Sequence, residues 1–458
     1  MTRLLRLAAI SVALLMIVAT PAAADSYRGD QDRDRGQYER SGHDKRSGHH
    51  RDRRDRVGSI DELRKAIDDA NESGEHVRIE LKRGKFRLDG DADEDDNKTG
   101  DLDVTGTITI DGNGARIDGR GVDRIFDVQA DARLKLEHVR LVNGSPEAKA
   151  SGGAIRSAGK VIVKRSIISN STVQGDGASG GAIFNDGGDL TVYRSALVGN
   201  ESVRAGGAIE ANAGTTTVVR STLDRNSTGD GPGNGGGLHL TGAGTVDVAG
   251  SSVTRNTAAA EGGGLWNSAT GTMTVRSTYL SRNVASGDAA DEGGGALFND
   301  GGELTVDHSK IDRNIADGES GSGGGILNNL GTLHVTDTKI SRNESNRAGG
   351  GIEANVGETT LDHVSLYRNR TGDNPGNGGG LHLTGAGTVH IDDSYVVRNR
   401  AAAEGGGLWN SATGTMTVTD TRIRRNRAPV GPNVFNDVDD DGNSGTFTID
   451  GEPVPAGS

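Results

Sequence analysis

Residues 180–200 read GGAIFNDGGDLTVYRSALVGN. Two glycines lead into Ala and Ile. Phe and Asn follow, then a Gly-rich turn, the alternating run LTVYR, and a second short apolar run ending at Asn200. Period-2 alternation bounded by Gly, Asn, Asp and Ser predicts short strands joined by tight turns. The same order of parts recurs down the chain. Aligned on the apolar residue after the glycines, the units fall at Ile155, Ile183, Ile209, Leu238, Leu265, Leu297, Ile326, Ile352, Leu381 and Leu408. Aligned on the terminal Asn, they run from Asn143 and Asn170 through Asn200 and Asn226 to Asn426, in the same register. A larger duplication lies over the units. GGGLHLTGAG at residue 235 returns at 378, and AAAEGGGLWNSATGTMTV at 258 returns at 401, each 143 residues on.

A unit of this length holds two or three short strands and leaves no room for a crossover helix. The fold class predicted is therefore all-β, a parallel β-helix solenoid of about a dozen coils stacked roughly 4.8 Å apart. Composition agrees. With 458 residues, 73 of them Gly, 32% apolar and only 3% aromatic, a compact globule would lack core material. A solenoid needs only a thin core, because each coil buries its apolar side chains against the next. The terminal Asn is expected at a left-handed corner, its amide bonding the Asn of neighbouring coils in a ladder.

The ends differ from the repeat. Residues 1–24 read as an export signal, with Arg3 and Arg6 before an apolar stretch and Ala22-Ala23-Ala24 at the cleavage point. Residues 25–57 are a mixed-charge, Gly-rich tail expected to be disordered. Its Arg28-Gly29-Asp30, His43, His49 and His50 follow from that composition. Residues 58–75 predict a capping helix. Ser59 and Glu62 form a capping box, and Ile60, Leu63, Ile67 and Ala70 share one face. The β-helix is assigned to residues 76–436, with the acidic run 91–96 as a loop, and 437–458 to a C-terminal cap or tail. There is no Cys, so disulfides and thiolate metal sites play no part. The net charge of −13 argues against general nucleic-acid binding. After the signal, no stretch is long and apolar enough to cross a bilayer. The expected location is secreted and extracellular.

GGAIFN, GGALFN and GGGLWN, each followed by an alternating strand and a terminal Asn, resemble the repeats of secreted right-handed parallel β-helix proteins of the pectin-lyase-like superfamily. The opening SIDELRKAIDDAN, then DLDVTGTITIDGNGARIDG, is similar to bacterial β-helix proteins that begin with a CSLREA-type segment, without the Cys of that motif. The GGAI pattern is also similar to polymorphic membrane proteins, whose C-terminal barrel this chain lacks. The resemblance covers about residues 58–436 and implies a fold. It does not imply one function, since such folds carry lyases, hydrolases and adhesins.

Two rows of residues carry the candidate chemistry. The position before the terminal Asn is Arg in eight successive units: Arg225, Arg255, Arg282, Arg313, Arg342, Arg368, Arg398 and Arg425. A column of guanidinium forks suits the carboxylates, sulfates or phosphates of an extended polymer. Alternatively the column is neutralised by nearby Asp224, Asp307, Asp312, Asp337, Asp362, Asp392 and Asp420. The second row is the outward neighbour of each aligned Ile or Leu. It contains Glu210, His239 and Trp266, and again Glu353, His382 and Trp409, the only two Trp in the chain among them. An exposed ring beside a carboxylate and an imidazole suits sugar binding. The same row under a covering loop would be structural.

Asp437, Asp439, Asp441 and Gly442 match the first half of an EF-hand-type calcium loop, but Thr448 stands where the bidentate acid belongs. No cofactor is required otherwise. No polygalacturonase-like or pectate-lyase-like catalytic set is present, so no catalytic residue is assigned and the enzyme question stays open. The leading expectation is a non-catalytic, adhesin-like β-helix binding extended glycans or cell-surface material. The alternatives are a polysaccharide lyase or hydrolase acting on an anionic polysaccharide, and a purely structural coat protein.

Overall fold

The computed structural model describes residues 56–90 and 97–457, all within one compact unit, Arg54–Ser458. The export-type segment, the mixed-charge tail up to residue 55 and the acidic run 91–96 lie outside the described residues.

A parallel β-helix is what the repeat builds. Each coil contributes a strand to each of three long sheets, here called the first, second and third faces in chain order. The first face begins at His76–Glu80 and has 15 strands, including a terminal hairpin. The second, from Lys85–Arg87, and the third, from Leu102–Val104, have 13 each. A short fourth face of seven two-residue strands, Glu201–Ser202 to Arg370–Thr371, lies between the second and third. All the inter-coil ladders are parallel. Among the described residues the one antiparallel ladder is the closing hairpin of Thr446–Ile449 with Glu452–Pro453.

Register follows the sequence alignment. Ile155, Ile183, Ile209 and Leu238 stack directly on one another, and the column continues through Leu265 to Leu408. Every one of them is fully buried. Because the pleat has a period of two, the neighbour on each side points out of this core. The interior is a single continuous apolar cluster from Leu63 to Phe447.

The N-terminal end of the stack is covered by α1, Ile60–Ser73. Ser59 caps it, its hydroxyl accepting from the Glu62 amide at 3.2 Å, while Glu62 reaches back to the Gly58 amide at 2.7 Å. Gly74 closes the helix with φ of 65°. Leu63, Ile67 and Ala70 are buried as the helical face predicts, and Ile60 is half-buried. Arg64 is buried too, which periodicity did not indicate. Its guanidinium donates to the carbonyls of Thr99, Gly100 and Asp101 at 2.8–2.9 Å, satisfying backbone that would otherwise be orphaned. Val57 also belongs to the fold, pairing with the chain at Glu80 and Lys82.

Asn200, Asn226, Asn256, Asn283 and their successors to Asn426 form the expected ladder. Asn256 is typical: its amide donates to Asn283 Oδ1 and to Leu223 O, both at 3.0 Å. The left-handed corner, however, is the residue before it. Arg225 to Arg425 hold φ between 54° and 60°, and in the earliest coils Asn143, Asn170 and Gly199 take that place. Asn143 and Asn170 are thus corner residues, one position out of the ladder, where Ser171 stands beside Asn200 instead. The sequence alignment slipped by one there because Asn suits both positions.

Candidate functional site

The Glu-His-Trp row exists and is covered. Glu210, His239, Trp266, Phe298 and Leu327 stack across five coils of the third face, and Glu353, His382, Trp409 and Phe435 repeat the order. They point away from the main core, as alternation requires. Yet Glu210 and Glu353 are 1% exposed, and Trp266 and Trp409 only 8% and 7%. The cover is the Gly-rich segment that brings the chain into each third-face strand. Gly235 has φ of 65° and Gly378 63°, and a Cβ on either would sit 2.7 or 2.4 Å from the Cβ of His239 or His382. The glycines therefore press directly on the row, and the exposed aromatic platform expected from the sequence is absent.

What the row contains instead is a satisfied buried network. His239 Nδ1 lies 3.0 Å from Glu210 Oε2, and the Thr241 hydroxyl donates to Glu210 Oε1 at 2.5 Å. The second copy matches, with His382 at 3.0 Å and Thr384 at 2.6 Å from Glu353. Burial pushes the Glu353 carboxyl up, but His382, Arg347 and Thr384 outweigh it and hold it below its usual range. Each imidazole stacks on a Trp, at 4.2 and 4.1 Å between ring centres. Trp266 Nε1 donates to Glu261 at 2.8 Å and Trp409 Nε1 to Glu404 at 3.1 Å. Glu210, His239, Trp266, Glu353, His382 and Trp409 are thus brought together as internal packing.

The arginine column stands at the corner between the second and fourth faces, and it divides. In the earlier coils four of its five arginines are neutralised, and Arg282 has no carboxylate within ion-pair distance among the described residues. Asp224 holds Arg225 at 3.1 Å and Arg255 at 2.7 Å, and Asp312 holds Arg313 at 2.8 Å and Arg342 at 2.9 Å. Of the other expected partners, Asp307, Asp337, Asp362, Asp392 and Asp420 lie on the far side of the second face, at or beside its corner with the first. Asp307 and Asp337 face His308, Asp362 faces His363, and Asp392 accepts from the Thr419 hydroxyl.

In the last coils the compensation stops. Arg368, Arg398 and Arg425 have no carboxylate within ion-pair distance among the described residues, and neither do Arg400 and Arg427, which follow the ladder Asn on the same coils. Together with Asn399 and Asn426 these five line a surface groove of about 580 Å³. A neighbouring groove shares Arg368 and includes Arg313, Arg342 and Arg370. Where the earlier coils have Asp224, this region has Tyr367. Arg368 stacks over its ring at 5.0 Å, and Arg398 donates to its hydroxyl at 3.0 Å. That hydrogen bond, with the cations around it, draws the Tyr367 phenol below its usual range. An aromatic face orients guanidinium groups without cancelling their charge. Arg370, Arg400, Arg427 and Tyr367 are not in the sequence-level column. The triplets RNR at 368, 398 and 425 signal them, and so does comparison across the duplication.

The proposed calcium loop is a hairpin turn. Asp439 Oδ1 accepts from the amides of Asp441 and Asn443 at 3.1 and 2.7 Å, and Val438 pairs with Ser444. Thr448 is in the closing strand. Asp437, Asp439 and Asp441 are not gathered round a common point; among the described residues the one convergent metal-ligating trio lies elsewhere. No described helix is long and apolar enough to cross a membrane.

No protein-family model and no curated protein matches this chain. Among solved structures, the A-module of mannuronan C-5 epimerase AlgE6 from Azotobacter vinelandii aligns over 86% of this chain and 94% of its own length. The two are 13% identical, with a TM-score of 0.38. At that level the likeness carries no argument about what the present chain does.

Proposed function

We propose that this chain is a rigid β-helix rod that binds an extended anionic polysaccharide along the arginine corner of its last coils. The observation that carries the reading is the set Arg368, Arg398, Arg400, Arg425 and Arg427: exposed, stacked coil on coil, and unneutralised among the described residues. Like charges this close repel. They persist on a folded surface when a ligand supplies the counter-charge. The corner itself supports the reading. A left-handed backbone favours Gly or Asn, and both occupy it in the first coils. Arg at eight later corners, where a cheaper residue fits, points to a use for the side chain. The coil spacing presents guanidinium groups at a regular interval, which suits a repeating polyanion better than a compact ligand. The export-type N-terminus would place that surface outside the cell.

The test is binding of a carboxylated or sulfated linear polysaccharide and of a neutral glucan to the whole chain and to the Arg368→Gln/Arg398→Gln/Arg425→Gln variant. The expected result is salt-dependent binding of the acidic polymers, no binding of the neutral one, and at least a tenfold loss in the variant. Equal binding of both polymers, or an unaffected variant, overturns the site. Unsaturated uronate or new reducing ends in the same incubations would replace the non-catalytic reading with a lyase or hydrolase.

A further inference from the structure

At the corner between the first and second faces, the later coils carry a second column of chemistry-bearing side chains. Asp307 and His308 end one first-face strand and turn the corner; Asp337 turns it on the next coil. His308 Nδ1 lies 2.6 Å from Asp307 Oδ1, and His308 Nε2 lies 3.6 Å from Asp337 Oδ2. One donor atom from each of the three lies within 4.8 Å of the other two, and all are solvent-accessible. We infer that Asp307, His308 and Asp337 form a surface site for a divalent transition cation, zinc being the probe of choice.

The argument is one of donor type, charge and reach. Two carboxylates and a neutral imidazole offer two negative charges and one nitrogen, a set that suits zinc, copper or nickel and not calcium, which takes oxygen. Bonds of about 2.0–2.2 Å in tetrahedral geometry put donors roughly 3.3–3.6 Å apart, so the trio must close by up to about 1.5 Å. Exposed side chains make that adjustment easily, and water completes the shell. The imidazole presently sits between two carboxylates, the position a cation would take in place of its proton.

Two comparisons within the molecule sharpen the assignment. At the corresponding positions 143 residues earlier stand Lys164, Arg165 and Arg194, which would repel a cation. Two coils further on, Asp362, His363 and Asp393 look alike in sequence. There Nδ1 faces Asp362 at 2.7 Å and Nε2 faces Asp393 at 3.0 Å. That imidazole also lies between two carboxylates, as His308 does, but one donor atom from each of the three does not converge as in the first trio.

The test is a zinc titration by isothermal calorimetry of the full metal-stripped chain and of His308→Ala, Asp337→Asn and His363→Ala, each checked by circular dichroism. The N-terminal His43, His49 and His50 contribute the same background to all four. His308→Ala and Asp337→Asn should each lose one equivalent of bound zinc, or bind it at least tenfold more weakly; His363→Ala should match the parent. Copper added in place of zinc should show one-nitrogen coupling in its EPR spectrum that vanishes in His308→Ala. Unchanged stoichiometry and affinity in His308→Ala overturns the site. So does displacement of the zinc by an equal concentration of calcium, which would mark a merely acidic surface. The site is on the opposite side of the second face from the arginine groove, so its failure leaves the polysaccharide reading standing.

Discussion

Residues 204–285 and 347–428 are two copies of one three-coil block set five coils apart, and they differ by region. Inside, they match: Glu210, His239, Thr241, Glu261 and Trp266 return as Glu353, His382, Thr384, Glu404 and Trp409 with distances that agree to a few tenths of an ångström. Even the loops over them share a cis proline, Pro232 and Pro375. Outside, the corners have diverged. Asp224 becomes Tyr367, while Ser227, Thr257 and Val284 become Arg370, Arg400 and Arg427. On the other corner the change runs the opposite way: Arg220 becomes His363, Gly250 becomes Asp393 and Ser277 becomes Asp420. The first copy mixes its charges; the second sorts cations to one corner and carboxylates with imidazoles to the other. Packing constrains the interior because a shape change there is costly, whereas exposed corners are free to acquire chemistry.

The comparison is most exposed to challenge where the copies agree. Glu210→Ala and Glu353→Ala each strand a buried imidazole, and each should cost about 3–5 kcal/mol in urea unfolding. A cost confined to one copy would show that the two networks are not equivalent. Next come the ladder residues Asn226→Ala and Asn369→Ala. Each loses amide bonds to a carbonyl and to the next Asn, and leaves a buried amide without its acceptor. A loss of roughly 1–3 kcal/mol is expected for either.

Exchanging the corner residues should do little to stability and much to binding. Tyr367→Asp, which installs the carboxylate of the first copy, should shift stability by less than about 1 kcal/mol. It should also flatten the salt dependence of polyanion binding. Asp224→Tyr should create new salt-dependent binding in the first copy; if neither exchange moves binding, the divergence of the corners is neutral.

The smallest effect separates the two Trp pockets. Burial, with Asp300, Glu292 and Asp291 nearby, pushes the Glu261 carboxyl up to about 7. Its folded-state pKa is raised, so its contribution to stability is complete below about 4.5 and is lost as pH rises towards 7. In a Trp409→Phe background, Trp266 emission should titrate near pH 7. A flat profile would show that Glu261 does not change charge there.

Much of this was legible in the repeat. Ile155 to Leu408 set the register because a one-residue slip would turn every coil inside out. Asn200 to Asn426 announced a ladder. The reach of the sequence ended at the corners. Asn143 and Asn170 were misaligned because Asn serves both as a left-handed corner and as a ladder rung. The Asp residues proposed as partners of the arginine column are near it in sequence, yet a three-residue strand carries Asp307 and Asp362 to the other edge of the second face. The Glu-His-Trp row faces outward as alternation predicts, but alternation does not decide between an open row and a covered one, because it tells which side of a strand a residue faces and nothing about what lies over it.

The sequence by itself determined the β-helix, its register, the stacking of Glu on His on Trp, and the column of Arg beside Asn. These follow from local periodicity repeated in register. Only the tertiary structure decided that Gly235 and Gly378 close over that row, that Asp224 and Asp312 neutralise four of the early arginines while Tyr367 leaves the later ones charged, and that Asp307, His308 and Asp337 converge. Each depends on the distance between side chains of different coils and on what covers them. Spacing along one chain does not encode either.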